Sequence, residues 1–280
     1  MPSQHLPHQL AIPDFKQLVL YTGNVMLTTT TAGKDWNKKS NAELVQAISD
    51  TLRVSLYGAD TPSYRYFKEK ELLEVPDLRL SSRIDPVDRD EVEVTAKLFY
   101  LRHSHETEAE VSHIDRAIYH LQQLLDVNSI DTLIVSFDNM NCNTSIEKTW
   151  KDLEVYQQKG VVSKLGLCDF DCEKLSAFIN NKEHKIKPSI NQVHVEQCCS
   201  LPQDLITLGK HENIELTFNG DTTDILSTEA LSILLHKYGV IESNSTQVRP
   251  RWVLKYDVFF KRRSVVADKG YIVVGDVQQP

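Results

Sequence analysis

Apolar positions along this chain alternate between two rhythms. Short runs rich in β-branched and large aliphatic residues read as strands: Val92–Phe99, Thr132–Val135, Ser163–Leu167, 189–195 and Leu216–Asn219. Between them the spacing becomes helical. Val111, Ile114, Ile118, Leu121 and Leu125 form a stripe spaced 3, 4, 3 and 4, which keeps all five on one helix face. Ile146–Gln158 reads as a helix ending before Gly160, and Asp171 caps another that runs to about Asn180. Helices at 202–211 and 227–238 complete the alternation. Nearer the N-terminus, Gln17–Tyr21 is a short strand stopped by the turn Thr22-Gly23-Asn24. Ser40-Asn41-Ala42-Glu43 and Thr107-Glu108-Ala109-Glu110 have the form of capping boxes, in which a hydroxyl and a carboxylate satisfy free N–H groups at a helix start. Leu44, Ile48 and Leu52 continue the first of these helices.

Five strand–helix steps in succession predict right-handed βαβ units around a parallel sheet. That number favours an α/β fold of the (β/α)8 TIM-type barrel class, whose loops at the C-terminal strand ends carry function. The last segment breaks the rhythm. Trp252–Phe260 and Gly270–Val274 are β-branched and aromatic, with the turn-like KRRSVVADKG between them, and predict a terminal strand pair in place of a final helix. Residues 58–90 hold Pro62, Pro76 and many charges, and read as a long irregular segment with a short helix around 65–73. Residues 1–16 are expected to form a flexible lead, and 17–280 a single domain.

The chain has 280 residues, 41% hydrophobic and 25% charged, which is ordinary for a globular domain. A formal net charge of −8 argues against nucleic acid or an anionic membrane as partner. No apolar run reaches membrane-span length, and the N-terminus lacks a basic-then-apolar signal pattern, so a cytoplasmic location is expected. Five cysteines, an odd number, read as free thiols in a reducing compartment.

Candidate chemistry centres on NQVHVEQCCSLPQDL, residues 191–205, a strand, an exposed turn with Cys198 and Cys199, and a helix opened by proline. A bridge between adjacent cysteines is strained, so these two read either as a thiol pair facing another chain or as small packed loop residues. No base or orienting group accompanies them, which argues against nucleophilic catalysis. Cys168 and Cys172 would need a second ligand pair to hold zinc, and Cys142 alone does not supply it. His103, His105 and His113 scatter through a charged connection. Lys261-Arg262-Arg263 suits a cofactor phosphate, an acidic partner surface or a solvated turn.

Trp150–Phe170 (WKDLEVYQQKGVVSKLGLCDF), Lys187-Pro188, Asn191-Gln192-Val193 and Leu201-Pro202-Gln203 resemble the aldo-keto reductase superfamily over roughly residues 90–220. The resemblance implies an eight-stranded barrel with a nicotinamide site at the strand C-terminal ends. It also implies a catalytic aspartate, tyrosine, lysine and histidine, the lysine depressing the tyrosine pKa for proton donation. Lys97 stands at the position of that lysine, but Ser136 occupies that of the histidine, and residues 58–90 offer no clear aspartate and tyrosine. Of the groups that would hold the nicotinamide, Gln192 is kept. The Ser-Asn pair reads Cys168-Asp169, and the stacking aromatic reads Asn219. Lys97 and Gln192 are thus vestigial cofactor-site candidates, with alternative readings as a polar strand end and a strand residue bonded across the barrel.

A narrower resemblance runs nearly end to end. YTGN at 21–24, VTAKLF at 94–99, the 191–205 stretch and the tail WVLKYDVFFKRRSVVADKGYI at 252–272 are similar to the family of glutamate–cysteine ligase regulatory subunits. That implies a non-catalytic barrel, a pseudoenzyme, which forms a heterodimer with the ligase catalytic subunit in glutathione biosynthesis. It would improve glutamate use and relieve glutathione inhibition. Cys198 and Cys199 are then candidates for an intersubunit disulfide, and 58–90, 196–205 and the terminal strands for the contact. No cofactor is expected. The alternatives are an active NADPH-dependent reductase and a regulator that senses NADPH at a vestigial site.

Overall fold

The computed structural model describes residues 10–28, 40–78, 84–101, 113–137, 143–194, 201–222, 224–242, 245–262 and 265–278. Their elements are β1 (Gln17–Tyr21), α1 (Val25–Thr28), α2 (Ser40–Tyr57), β2 (Arg65–Phe67), β3 (Leu72–Val75), β4 (Val92–Tyr100), α3 (Ile114–Leu125), β5 (Ile130–Phe137) and α4 (Asn143–Gln158). Then follow β6 (Val162–Cys168), α5 (Cys172–Asn180), β7 (Ile190–His194), α6 (Gln203–Glu212), β8 (Glu215–Asn219), α7 (Thr228–Lys237), β9 (Gln247–Phe260) and β10 (Val265–Gln278).

The rhythm of the sequence is realised from β4 to α7. Strands β4 to β8 pair in parallel, each with the next, and a helix follows every one of them. Asp171 caps α5 as expected, accepting the Lys174 N–H at 2.8 Å. The terminal strand pair is also present and longer than its apolar core suggested, with 14 residues in each strand.

Where that pair sits determines the architecture. β9 runs antiparallel to β4, and β10 runs antiparallel to β1, so the hairpin lies between the first strand and the parallel run. All ten strands form one sheet in the order β2-β3-β1-β10-β9-β4-β5-β6-β7-β8. The fold is α/β, as predicted. Its ten strands, against the eight of the expected barrel, are β1 and the parallel run β4–β8, two from the terminal hairpin and two from residues 65–75. Among the described residues no ladder joins the outer strands β2 and β8.

The helix expected around 65–73 is instead a β2–β3 hairpin, turned by a 3-10 segment at Lys68–Lys70 and by Glu71 in the left-handed region (φ 46°). Pairing decides this. Leu72–Val75 lie in parallel register with β1 and are buried on both faces, which outweighs a weak local preference for helix. Of the capping-box reading of Ser40–Glu43, α2 begins at Ser40, whose side chain lies outside the description, and the Glu43 carboxylate bonds Lys269 and Tyr271 of β10. Residues 107–110 lie outside the described residues.

Alternate residues of the same strands enter two cores. Val94, Leu98, Leu133, Leu254 and Ile272 pack under α3, α4, α5 and α6. Leu18, Leu20, Phe99, Val253 and Val273 pack under α2 and α7. Burying a leucine or isoleucine in either layer contributes about 1.5–3 kcal/mol. Gly270 lets the hairpin close on this sheet, since a Cβ there would stand 2.6 Å from the Tyr256 hydroxyl and 3.0 Å from Thr22 Oγ1. No helix among the described residues is long and apolar enough to cross a membrane.

One polar contact fastens β1 to α3. The Tyr21 hydroxyl lies 2.6 Å from His120 Nδ1, with both side chains buried. Burial, reinforced by Arg116 and Lys70, pulls the imidazole pKa down to about 4. The ring is therefore neutral at pH 7, and its tautomer sets which partner donates in the bond to Tyr21. The folded pKa lies below the unfolded value of about 6.5, so the unfolded chain takes up the proton first. Stability should fall as pH drops from about 6.5 to about 4, by about 3 kcal/mol at most. Denaturant unfolding across that range should show the slope in the native chain and a flatter line in His120→Phe; equal slopes would remove His120 as its source.

Candidate functional site

The antiparallel ladder of β4 and β9 sets Lys97 directly opposite Lys255. Like charges in that position repel, and here solvent does little to screen them, because the Lys97 side chain is 6% exposed and that of Lys255 18%. Asp221, just beyond the C-terminal end of β8, resolves the conflict. Its Oδ2 lies 3.1 Å from Lys97 Nζ and its Oδ1 2.8 Å from Lys255 Nζ. The Asn219 side chain accepts the Asp221 N–H at 2.9 Å and so holds the loop in place. Burial by itself would raise the Asp221 pKa, but Lys255 and then Lys97 outweigh it and hold the carboxylate below its ordinary value. Burial works against the Lys255 ammonium in the same way, and Asp221 reverses the balance upward.

The network continues along the hairpin. Asp257, which alternates with Lys255 on β9, faces Lys269 of β10 in the ladder. Lys269 reaches Glu43 of α2 at 2.6 Å, and the Tyr271 hydroxyl donates to the same carboxylate at 2.5 Å. Burial raises the Glu43 carboxyl, but the bonds from Lys269 and Tyr271 bring it below its ordinary value. Asp257 goes the other way, because burial exceeds what Lys255 and Lys269 return. The Tyr271 phenol is pushed up, first by burial and then by Glu43.

Beside this cluster stand the ends of β6, β7 and β8. The Cys168 thiol donates to Asp169 Oδ2 at 3.2 Å and accepts from Asn219 Nδ2 at 3.7 Å. Burial pushes it up to about 12, a shift that Lys97 opposes and Asp169 adds to, so the sulfur is a protonated, inert thiol. Asp169 is held in the left-handed region (φ 60°), and its Oδ1 accepts the His194 N–H at 2.6 Å. Gln192 lies between Cys168 and Thr217 in the ladders. Its Oε1 is buried without a hydrogen-bond partner.

These placements test the candidates read from sequence. Lys97 is at the strand position the resemblance implies, and its ammonium bonds Asp221, with no tyrosine hydroxyl bonded to it among the described residues. Tyr271, opposite Lys255, bonds to Glu43 and is shifted upward. Cys168, Asp169 and Asn219, at the positions the resemblance gives to a nicotinamide's amide grip and stacking partner, bond to one another, and among the described residues beside them Gln192 Oε1 and Thr217 Oγ1 are left without partners. Lys261 and Arg262 bind the Asp90 carbonyl (3.1 Å) and the Glu91 carboxylate (3.0 Å). That is the N-terminal end of β4, away from Asp221. Cys142, Cys198, Cys199, His103 and His105 lie outside the described residues. Among the described residues no group of three or more His, Cys, Asp or Glu could hold a metal.

Asp221, Lys255, Glu43 and Lys269 were not anticipated. A signal for part of the set was present: in WVLKYDVFF, Lys255 and Asp257 recur at the strand period inside an otherwise apolar run, which places two charges on one buried face.

Comparison with known proteins agrees with the fold class. The aldo/keto reductase family model matches residues 25–220. The human glutamate–cysteine ligase regulatory subunit is 27% identical over 244 residues, covering 85% of this chain and 78% of that protein. A Schizosaccharomyces pombe protein that carries the same name provisionally is 27% identical over 285 residues, 92% of this chain and 96% of its own length. Among solved structures, an aldo/keto reductase from Brucella melitensis superposes over 45% of this chain and 46% of its own, with 16% identity and a TM-score of 0.37.

Asp221→Asn leaves two buried ammonium groups face to face and should cost about 3–5 kcal/mol. Lys97→Met keeps the Asp221–Lys255 pair and should cost under about 2 kcal/mol, since it removes one charged hydrogen bond and keeps the volume. Denaturant midpoints compare the two, and equal losses would deny Asp221 its place as the hub. The Asp221 and Glu43 pKa values are depressed, so their stabilisation is present above about pH 4 and is lost as pH falls through the lower folded values. Lys255 is raised, so its share is present below about pH 10 and is lost as pH rises through its folded value.

Proposed function

The chain belongs to the aldo/keto reductase family, and from that premise we propose that it is a regulatory subunit of glutamate–cysteine ligase. It binds the ligase catalytic subunit as a heterodimer in the cytoplasm and performs no reduction of its own. The observation that carries this reading is Ser136, buried on β5 at the position of the family's relay histidine, where a hydroxyl supplies no imidazole for proton transfer. Relatives named as regulatory subunits support it by aligning with 85% and 92% of the chain, well beyond the span of the family model.

In physical terms a regulator binds one conformation of its partner more tightly than another. Here the favoured state is the one that uses glutamate well and responds weakly to glutathione, and couplings of this kind reach about 1–3 kcal/mol, or about 5–150-fold in affinity. The sheet buried between two helical layers gives a rigid scaffold for that task. Residues 58–90, the 196–205 loop and the terminal hairpin are the contact regions, with Cys198 and Cys199 as the thiols available for a covalent link.

The test is co-purification with the catalytic subunit, followed by glutamate and glutathione titrations. A lower glutamate KM and a higher glutathione inhibition constant are expected on adding the chain; unchanged kinetics at saturating chain would overturn the proposal. Under oxidation the complex should become covalently linked, and Cys198→Ser with Cys199→Ser should abolish that band. A band that survives would place the link elsewhere.

A further inference from the structure

We infer that Asp221 closes the nicotinamide site of this fold, so that Lys97 serves as a structural cation and no nicotinamide nucleotide binds at the C-terminal ends of β4 to β8. The inference goes beyond the regulatory role, since a regulator with an open nucleotide site would regulate equally well.

Three independent contacts carry it. First, Lys97 and Lys255 share one carboxylate, through 3.1 Å and 2.8 Å bonds to different oxygens of Asp221. With 6% of its side chain exposed, Lys97 offers a phenol, ring amide or carbonyl little room, and parting it from Asp221 would leave that carboxylate a single partner and bring two opposed ammonium groups back into conflict. Second, Asn219 stands where a stacking ring would be, and it bonds through its side-chain amide to Cys168 and through its oxygen to the Asp221 N–H. The residue that would cover the nicotinamide therefore holds the Asp221 loop shut. Third, the basic pair Lys261 and Arg262, the sequence candidate for a phosphate grip, bonds to Asp90 and Glu91 at the opposite end of β4. Among the described residues at these strand ends Gln192 Oε1 and Thr217 Oγ1 are left without partners, too few to hold a dinucleotide.

Isothermal titration of NADPH and NADP+ into the full chain tests this, run in parallel on Gln192→Ala and Lys97→Met. The expected result is no saturable heat below about 1 mM and no rise in melting temperature in any of the three. Saturable binding that survives both substitutions also supports closure, because it places the nucleotide elsewhere. Saturable binding that either substitution abolishes, in a variant shown by circular dichroism to be folded, overturns it. Should Lys97→Met fail to fold, Gln192→Ala carries the test alone. The two proposals fail separately: NADPH binding with ligase regulation intact sinks only the closure, and refusal of NADPH without regulation sinks only the regulatory role.

Discussion

Two ammonium groups set opposite each other inside a sheet are the constraint around which this molecule is arranged. Lys97 and Lys255 are register partners on antiparallel strands, in a setting too dry for water to absorb their repulsion. A single carboxylate between them removes the conflict only if both of its oxygens are used, as Asp221 uses them. That requirement fixes the loop after β8 against β4 and β9, and through Asn219 it fixes Cys168 as well. A second ion pair, Glu43 with Lys269, fastens the far side of the hairpin to α2. The buried charges thus act as registry pins between elements far apart in sequence, while the apolar layers supply the bulk of the stabilisation.

Much of the fold was legible because its signal is local. A parallel strand buried on both faces and a helix with a one-sided stripe leave different periods in the sequence, and the five units from β4 to α7 show both. Gly160 and Asp171 marked a helix end and a helix start for reasons confined to one turn. What the chain did not display were features decided by distant partners. Leu72–Val75 become a strand because β1 is there to pair with them. Glu43 sits in a capping motif and yet leaves the helix end for Lys269 and Tyr271, some 226 and 228 residues away. Neither outcome is written in its own neighbourhood.

The candidate site was readable in part for the same reason. Resemblance located Lys97 and Gln192 on their strands and flagged the exchanges at Ser136, Cys168-Asp169 and Asn219. It gave no partner for Lys97, since that partner comes from a loop 124 residues away. Periodicity would have helped more. A lysine and an aspartate two apart in a strand that otherwise reads as core announce a buried polar face, and buried charge requires a counter-charge.

The hairpin and the lysine belong to one argument. Lys255 is a residue of β9, and β9 occupies the edge of β4 that carries Lys97. Once the terminal strands are inserted there, Lys97 faces a second ammonium in a dry setting. Either one charge must be removed or a carboxylate must be recruited to both, and the chain takes the second course. The Asp221 contact and the terminal strands are therefore coupled through electrostatics. The same reasoning explains the inert thiol alongside. Burial, with Asp169 adding to it, outweighs the pull of Lys97 on the Cys168 thiol, which stays a packing and hydrogen-bonding group beside the ion network.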